Sequence, residues 1–162
     1  MTYAAFITEY FGAEKSHALL LMLVGMVALA LAAWMVKRHK PLRGMAVPLV
    51  AAALIQLAVG SIVYARSDLH SSQLQQRVRQ DPAEFKSVEM SRMKTVIANF
   101  ALYRQIEIAL LALGMAIVVL LRNREYGFAF GLGLVLQAGI LLALDYFAVA
   151  RAERYLKAVV GG

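Results

Sequence analysis

Glu14 and His17 stand three residues apart in the stretch GAEKSH. That spacing puts a carboxylate and an imidazole on one helical face, a turn apart. Such a pair can ligate a divalent metal, and Glu107 and Asp145 supply two further carboxylates from distant parts of the chain. Three carboxylates and one imidazole suit iron, manganese or zinc. Four-helix carboxylate centres, however, draw on two Glu-x-x-His motifs and two more glutamates, and this chain has one such motif. His39 and His70 fall on opposite sides of the topology derived below, so a bis-histidine haem pair is poorly supported. A metal site on Glu14, His17, Glu107 and Asp145 is therefore the lesser reading, and no cofactor is expected.

The chain has no cysteine, which removes thiolate nucleophiles, Cys-ligated zinc, iron–sulfur clusters and disulfide exchange. G-x-S-x-G, Walker A, G-x-G-x-x-G and H-E-x-x-H are all absent from the sequence. The expectation is a protein that is not an enzyme.

The elements that must position these residues are membrane helices. Of 162 residues, 61% are hydrophobic, against about 45–50% in a soluble domain. Four stretches, 18–36, 45–64, 101–121 and 126–150, approach or exceed the roughly 20 apolar residues that cross a bilayer. They lack the alternation of a barrel strand, so helices must satisfy their backbones. The expected fold is an all-α antiparallel bundle of four transmembrane helices in a single membrane domain. The first span is read as retained rather than cleaved, because its positive cluster follows the apolar run.

Short basic connections set the orientation. KRHKPLRG, between the first two spans, carries Lys37, Arg38, Lys40 and Arg43; RNREYG, between the last two, carries Arg122 and Arg124. Cations dense in short loops mark the cytoplasmic side. Both termini and the long middle connection are then expected outside the cytoplasmic (inner) membrane. The net charge of +7 reflects cations flanking spans, where anionic headgroups sit, and nucleic acid is not an expected partner.

Two features lie outside the spans. Tyr3, Phe6, Ile7, Tyr10 and Phe11 share one helical face, predicting a short interfacial helix with a bend at Gly12. Residues 68–100 are expected to form a helical hairpin. Asp68 would cap its first helix, while Asp81, Pro82 and Glu84 announce the second with a capping-box-like signal. Phe85, Val88, Met93, Val96, Ile97 and Phe100 give that second helix an apolar stripe, which the hairpin alone would cover thinly.

Polar rows mark the bundle interior: Gln56, Gly60 and Tyr64; Asn99, Tyr103 and Glu107; Gln137 and Asp145. An antiparallel arrangement brings Glu14, His17, Glu107 and Asp145 to one outer depth, with Tyr64, Arg66, Tyr103, Arg104 and Arg151 as a surrounding polar pocket. The leading reading of this pocket is structural, cross-helix glue. A membrane metalloenzyme or a proton-coupled transporter built on Glu107 and Asp145 with His17 assisting, and a lipid-headgroup or small-ligand site, are the alternatives. Transport lacks polar residues in the inner half to continue a path. The chain is thus expected to act by binding, as an accessory, assembly or immunity-type partner. Its contacts would be the bilayer and a protein or a second copy of itself, reached through the outside hairpin.

Overall fold

A computed structural model describes residues 3–38 and 40–161. Among them every long element is an α-helix and no strand occurs: α1 (Tyr3–Arg38), a short 3-10 helix (Lys40–Met45), α2 (Ala46–Gln80), α3 (Pro82–Leu120) and α4 (Glu125–Gly161). α1, α3, α4 and the 3-10 helix with α2 are each long and apolar enough to cross a membrane. His39 lies outside the described residues.

The helices are unbroken because nothing in their interiors stops them. The three prolines, at positions 41, 48 and 82, all fall in the 3-10 helix or in a first helical turn, where an absent N–H costs little. Asp81 starts α3 as expected: its Oδ1 accepts from Ala83 N at 2.9 Å and Glu84 N at 3.0 Å, from an extended backbone at φ −146°.

Three boundaries differ from expectation. α1 runs straight through Gly12, whose backbone stays helical, so the N-terminal segment is not a separate helix. α2 likewise passes through Asp68 without a new start; this carboxylate binds Lys15 at 2.6 Å instead of capping. α4 continues past residue 150 to Gly161, because AERYLKAVV keeps an apolar row, Ala152, Tyr155 and Val159, that finds a core to enter.

That core is the main correction. Ile7, Tyr10 and Phe11 of α1, expected at the headgroup level, are buried together with Leu74 of α2, Phe85 and Met93 of α3, and Ala152, Tyr155 and Val159 of α4. All four helices thus extend beyond their spans at one end and close around a common interior, here called the head. The apolar stripe of α3 is largely consumed there: Phe85 is 2% and Met93 0% exposed, while Val88 remains 42% exposed.

Within the spans, small residues set the packing. Ala18, Gly25 and Ala32 recur every seven residues on α1, and Ala46, Ala53 and Gly60 do the same on α2; all six are buried. A Cβ on Gly25 would approach Ala53 O to 3.1 Å, and one on Gly60 would approach Ala18 O to 2.9 Å. The two backbones therefore nearly touch. α4 uses two faces. A Cβ on Gly131 would meet Gly114 O of α3 at 2.9 Å, and one on Gly133 would meet Pro48 Cγ of α2 at 2.7 Å. Gly127 and Gly131, four residues apart on α4, are thus both engaged within the chain, Gly127 against Leu121 and Gly131 against α3. α1 and α3 make no close backbone approach.

Candidate functional site

The residues expected to form one pocket fall into three neighbouring sets along the base of the head. In the first, Glu14 Oε2 accepts from Ser67 Oγ at 3.0 Å, and Arg66 Nη2 lies 4.0 Å from Glu14 Oε1. Next to it, Lys15 pairs with Asp68 and lies 4.6 Å above the centre of the Tyr64 ring. These contacts lock α1 to α2 where both leave the apolar region. In the second set, the carboxyls of Glu107 and Asp145 face each other between α3 and α4. Glu107 is buried at 6% exposure, and its Oε2 has no hydrogen-bond partner.

Tyr103 and Arg104 do not close over that pair. Tyr103 is half exposed and rests edge-on against Phe100, ring centres 6.1 Å apart, and Arg104 is exposed.

The third set is His17 and Arg151, one each from α1 and α4. Burial, followed by the positive charge of Arg151, holds the His17 imidazole below its ordinary range, so it is neutral at pH 7. Burial likewise lowers Arg151, although nearby Tyr10 and Glu14 oppose the effect, and Arg151 Nε has no hydrogen-bond partner. Among the described residues no three His, Asp or Glu side chains gather so as to hold a metal ion. Glu14, His17, Glu107 and Asp145 are thus divided among these sets.

Above this base lies a network that the sequence reading missed. Glu89 of α3 is fully buried and receives both Nε (2.8 Å) and Nη2 (2.6 Å) of Arg92. Arg92 also sits 5.8 Å from the centre of the Phe11 ring. Tyr10 and Tyr155 stack with centroids 4.4 Å apart. Burial, then the charge of Glu14, pushes the Tyr10 phenol up to about 12; burial, then Glu89, raises Tyr155 further still. Both phenols therefore stay protonated and can act as hydrogen-bond donors inside the head. The signal for this network was present: Glu89 shares the helical face of Phe85, Met93 and Val96, and a carboxylate in an apolar stripe calls for an internal partner.

Between α1 and α4 the head opens into a cavity of about 380 Å³, with Tyr10, Ala13, Arg151, Arg154 and Tyr155 on its walls and Glu9 beside them. Deeper in the bundle, Gln56 Nε2 donates to Gln137 Oε1 at 3.3 Å, joining α2 to α4 with both residues buried. On the outer face of α3, Lys86, Ser87, Met90, Ser91 and Lys94 frame a shallow hollow of about 500 Å³. The chain matches no known protein family, no curated protein and no solved structure.

Proposed function

We propose that this is an integral protein of the cytoplasmic membrane that works by binding, as an accessory, assembly or immunity-type partner. In this reading the four helices cross the bilayer as an antiparallel bundle, with the head and both termini outside and the short basic connections in the cytoplasm. The support for topology is the density of cations in those two connections. Contacts at opposite ends also favour it: Gly44 lies against Tyr126 at one end, and Tyr10 against Tyr155 at the other.

The observation that carries the binding reading is the hollow on α3, where two lysines and two serines surround a partly buried methionine. Met90 rests against the head core on one side, while the lysines and serines around it are turned outward. An apolar centre with a polar, cationic rim is the layout of a protein contact, and the lysines select an acidic partner. The spans themselves offer isolated polar pairs, Gln56 with Gln137 and Glu107 with Asp145, rather than a continuous polar lining.

A photo-crosslinking amino acid at position 87, on the rim of the hollow, compared with one at the lipid-exposed position 120, tests the reading in native membranes. The expected result is a discrete protein adduct from position 87 that disappears in a Lys86→Glu, Lys94→Glu variant. Absence of any adduct from the head, together with proton flux in proteoliposomes that is lost in Asp145→Asn, would replace binding with transport.

A further inference from the structure

The cavity between α1 and α4 pairs an unsatisfied cation with a position at the membrane surface. Arg151 immediately follows the fourth span, residues 126–150, and no ion pair to it occurs among the described residues. Its Nε is buried without a hydrogen-bond partner, and Tyr155, 4% exposed, lines the same cavity. Leaving a guanidinium partly desolvated and unpaired is costly, and an anion entering the cavity removes that cost. Arg154, on the same wall one turn on, provides the second cation.

We propose that this cavity holds the phosphodiester of an anionic phospholipid, with Arg151 and Arg154 binding the phosphate and Tyr10 and Tyr155 facing it from the wall. Charge selects the chemistry. Arg151 and Arg154 against Glu9 leave one net positive charge on the lining, which a phosphodiester monoanion neutralises and a phosphomonoester dianion overshoots. Glu14, the nearest other acid, is engaged by Ser67 and Arg66, and His17 is neutral. Guanidinium groups suit phosphate oxygens through paired, charge-assisted hydrogen bonds.

The surroundings select a lipid over a free ion. Phe147 lies one turn below Arg151 on the same face of α4, and Leu20 continues the α1 face of Tyr10, Ala13 and His17. Phe147 is 64% and Leu20 45% exposed, so apolar side chains stand beneath the cations at the depth of acyl chains. The proposal rests on the membrane reading of the four spans and is independent of any partner on α3.

Native mass spectrometry and thermal unfolding of the detergent-purified full chain test it, with phosphatidylglycerol, phosphatidylcholine and inorganic phosphate as probes. The wild type is expected to retain one phosphatidylglycerol, to be stabilised by adding it, and to respond much less to phosphatidylcholine. Arg154 is exposed, so Arg154→Gln should fold normally and weaken phosphatidylglycerol retention about fivefold; the Arg151→Gln, Arg154→Gln double variant should abolish it. Equal responses to the two lipids, or an Arg154→Gln protein indistinguishable from wild type, would overturn the site. Stabilisation by inorganic phosphate alone, or displacement of the lipid by it, would overturn the lipid assignment in favour of a free anion. Carbonate-resistant membrane fractionation of the same chain separates failure of this site from failure of the membrane reading.

Discussion

A carboxylate wholly screened from solvent needs a partner, and Glu89 has one in the forked grip of Arg92. Arg92→Ala would strand it, so we expect a loss of about 3 kcal/mol, read as a lowered Tm in detergent. A Glu89→Gln, Arg92→Met protein, which removes both charges, should recover most of that loss. His17 supplies a pH signature. Its folded pKa lies below the ordinary 6.5 because of burial and then Arg151, so the unfolded chain binds protons more readily than the folded one. The corresponding stability is present above 6.5 and is lost as pH falls through the folded value. As pH falls below 6.5, the Tm of wild type should therefore decline more steeply than that of His17→Gln; parallel curves would refute the assignment. At this scale the sequence reading gathered into one pocket residues that the structure divides among three neighbouring sets. Glu14 and Arg66 lie within reach of each other, whereas Tyr103 rests at the surface against Phe100, because which side of a helix faces its neighbour depends on the rotation of two rods.

Between helices, the decisive side chains are the ones that are missing. Ala18, Gly25 and Ala32 oppose Gly60, Ala53 and Ala46 along a seam with a seven-residue period, and contact so close tolerates little added volume. A Cβ on Gly60 would already lie 2.6 Å from Met22 Cγ and 2.9 Å from a backbone oxygen. Gly60→Val is expected to cost about 2 kcal/mol, whereas Gly139→Ala, with nothing within 4 Å of the new carbon, should be nearly silent in the same thermal assay. The four spans and the Asp81–Pro82 helix start were legible because apolar length and cap chemistry are local signals. The small-residue seam was legible too, as a period of seven in residue type along α1 and α2. The expected breaks at Gly12 and Asp68 were misjudged for one reason. Glycine and aspartate permit a helix to end but do not compel it, and tertiary packing of Tyr10, Phe11 and Leu74 into the head favours continuation.

For the molecule as a whole, the orientation remains a matter of which end meets the cytoplasm, and the absence of native thiols makes the measurement clean. In intact cells, an impermeant maleimide should label Gln80→Cys and leave Lys40→Cys unmodified until the membrane is opened; the reverse pattern would invert the proposed topology. The head could not be foreseen from the hairpin alone, since six of its nine buried residues come from the two ends of the chain, separated by more than a hundred residues and united only by folding. That union has a mechanical consequence. The four helices are 36, 35, 39 and 37 residues long, and no proline or break divides any of them between the head and the apolar segments, so the head is continuous with the bundle rather than hinged on it. In the proposed topology a tilt of about 20°, an ordinary response to hydrophobic mismatch, would therefore swing the head as one body, carrying the far end of α3, roughly 28 Å out, sideways by about 10 Å.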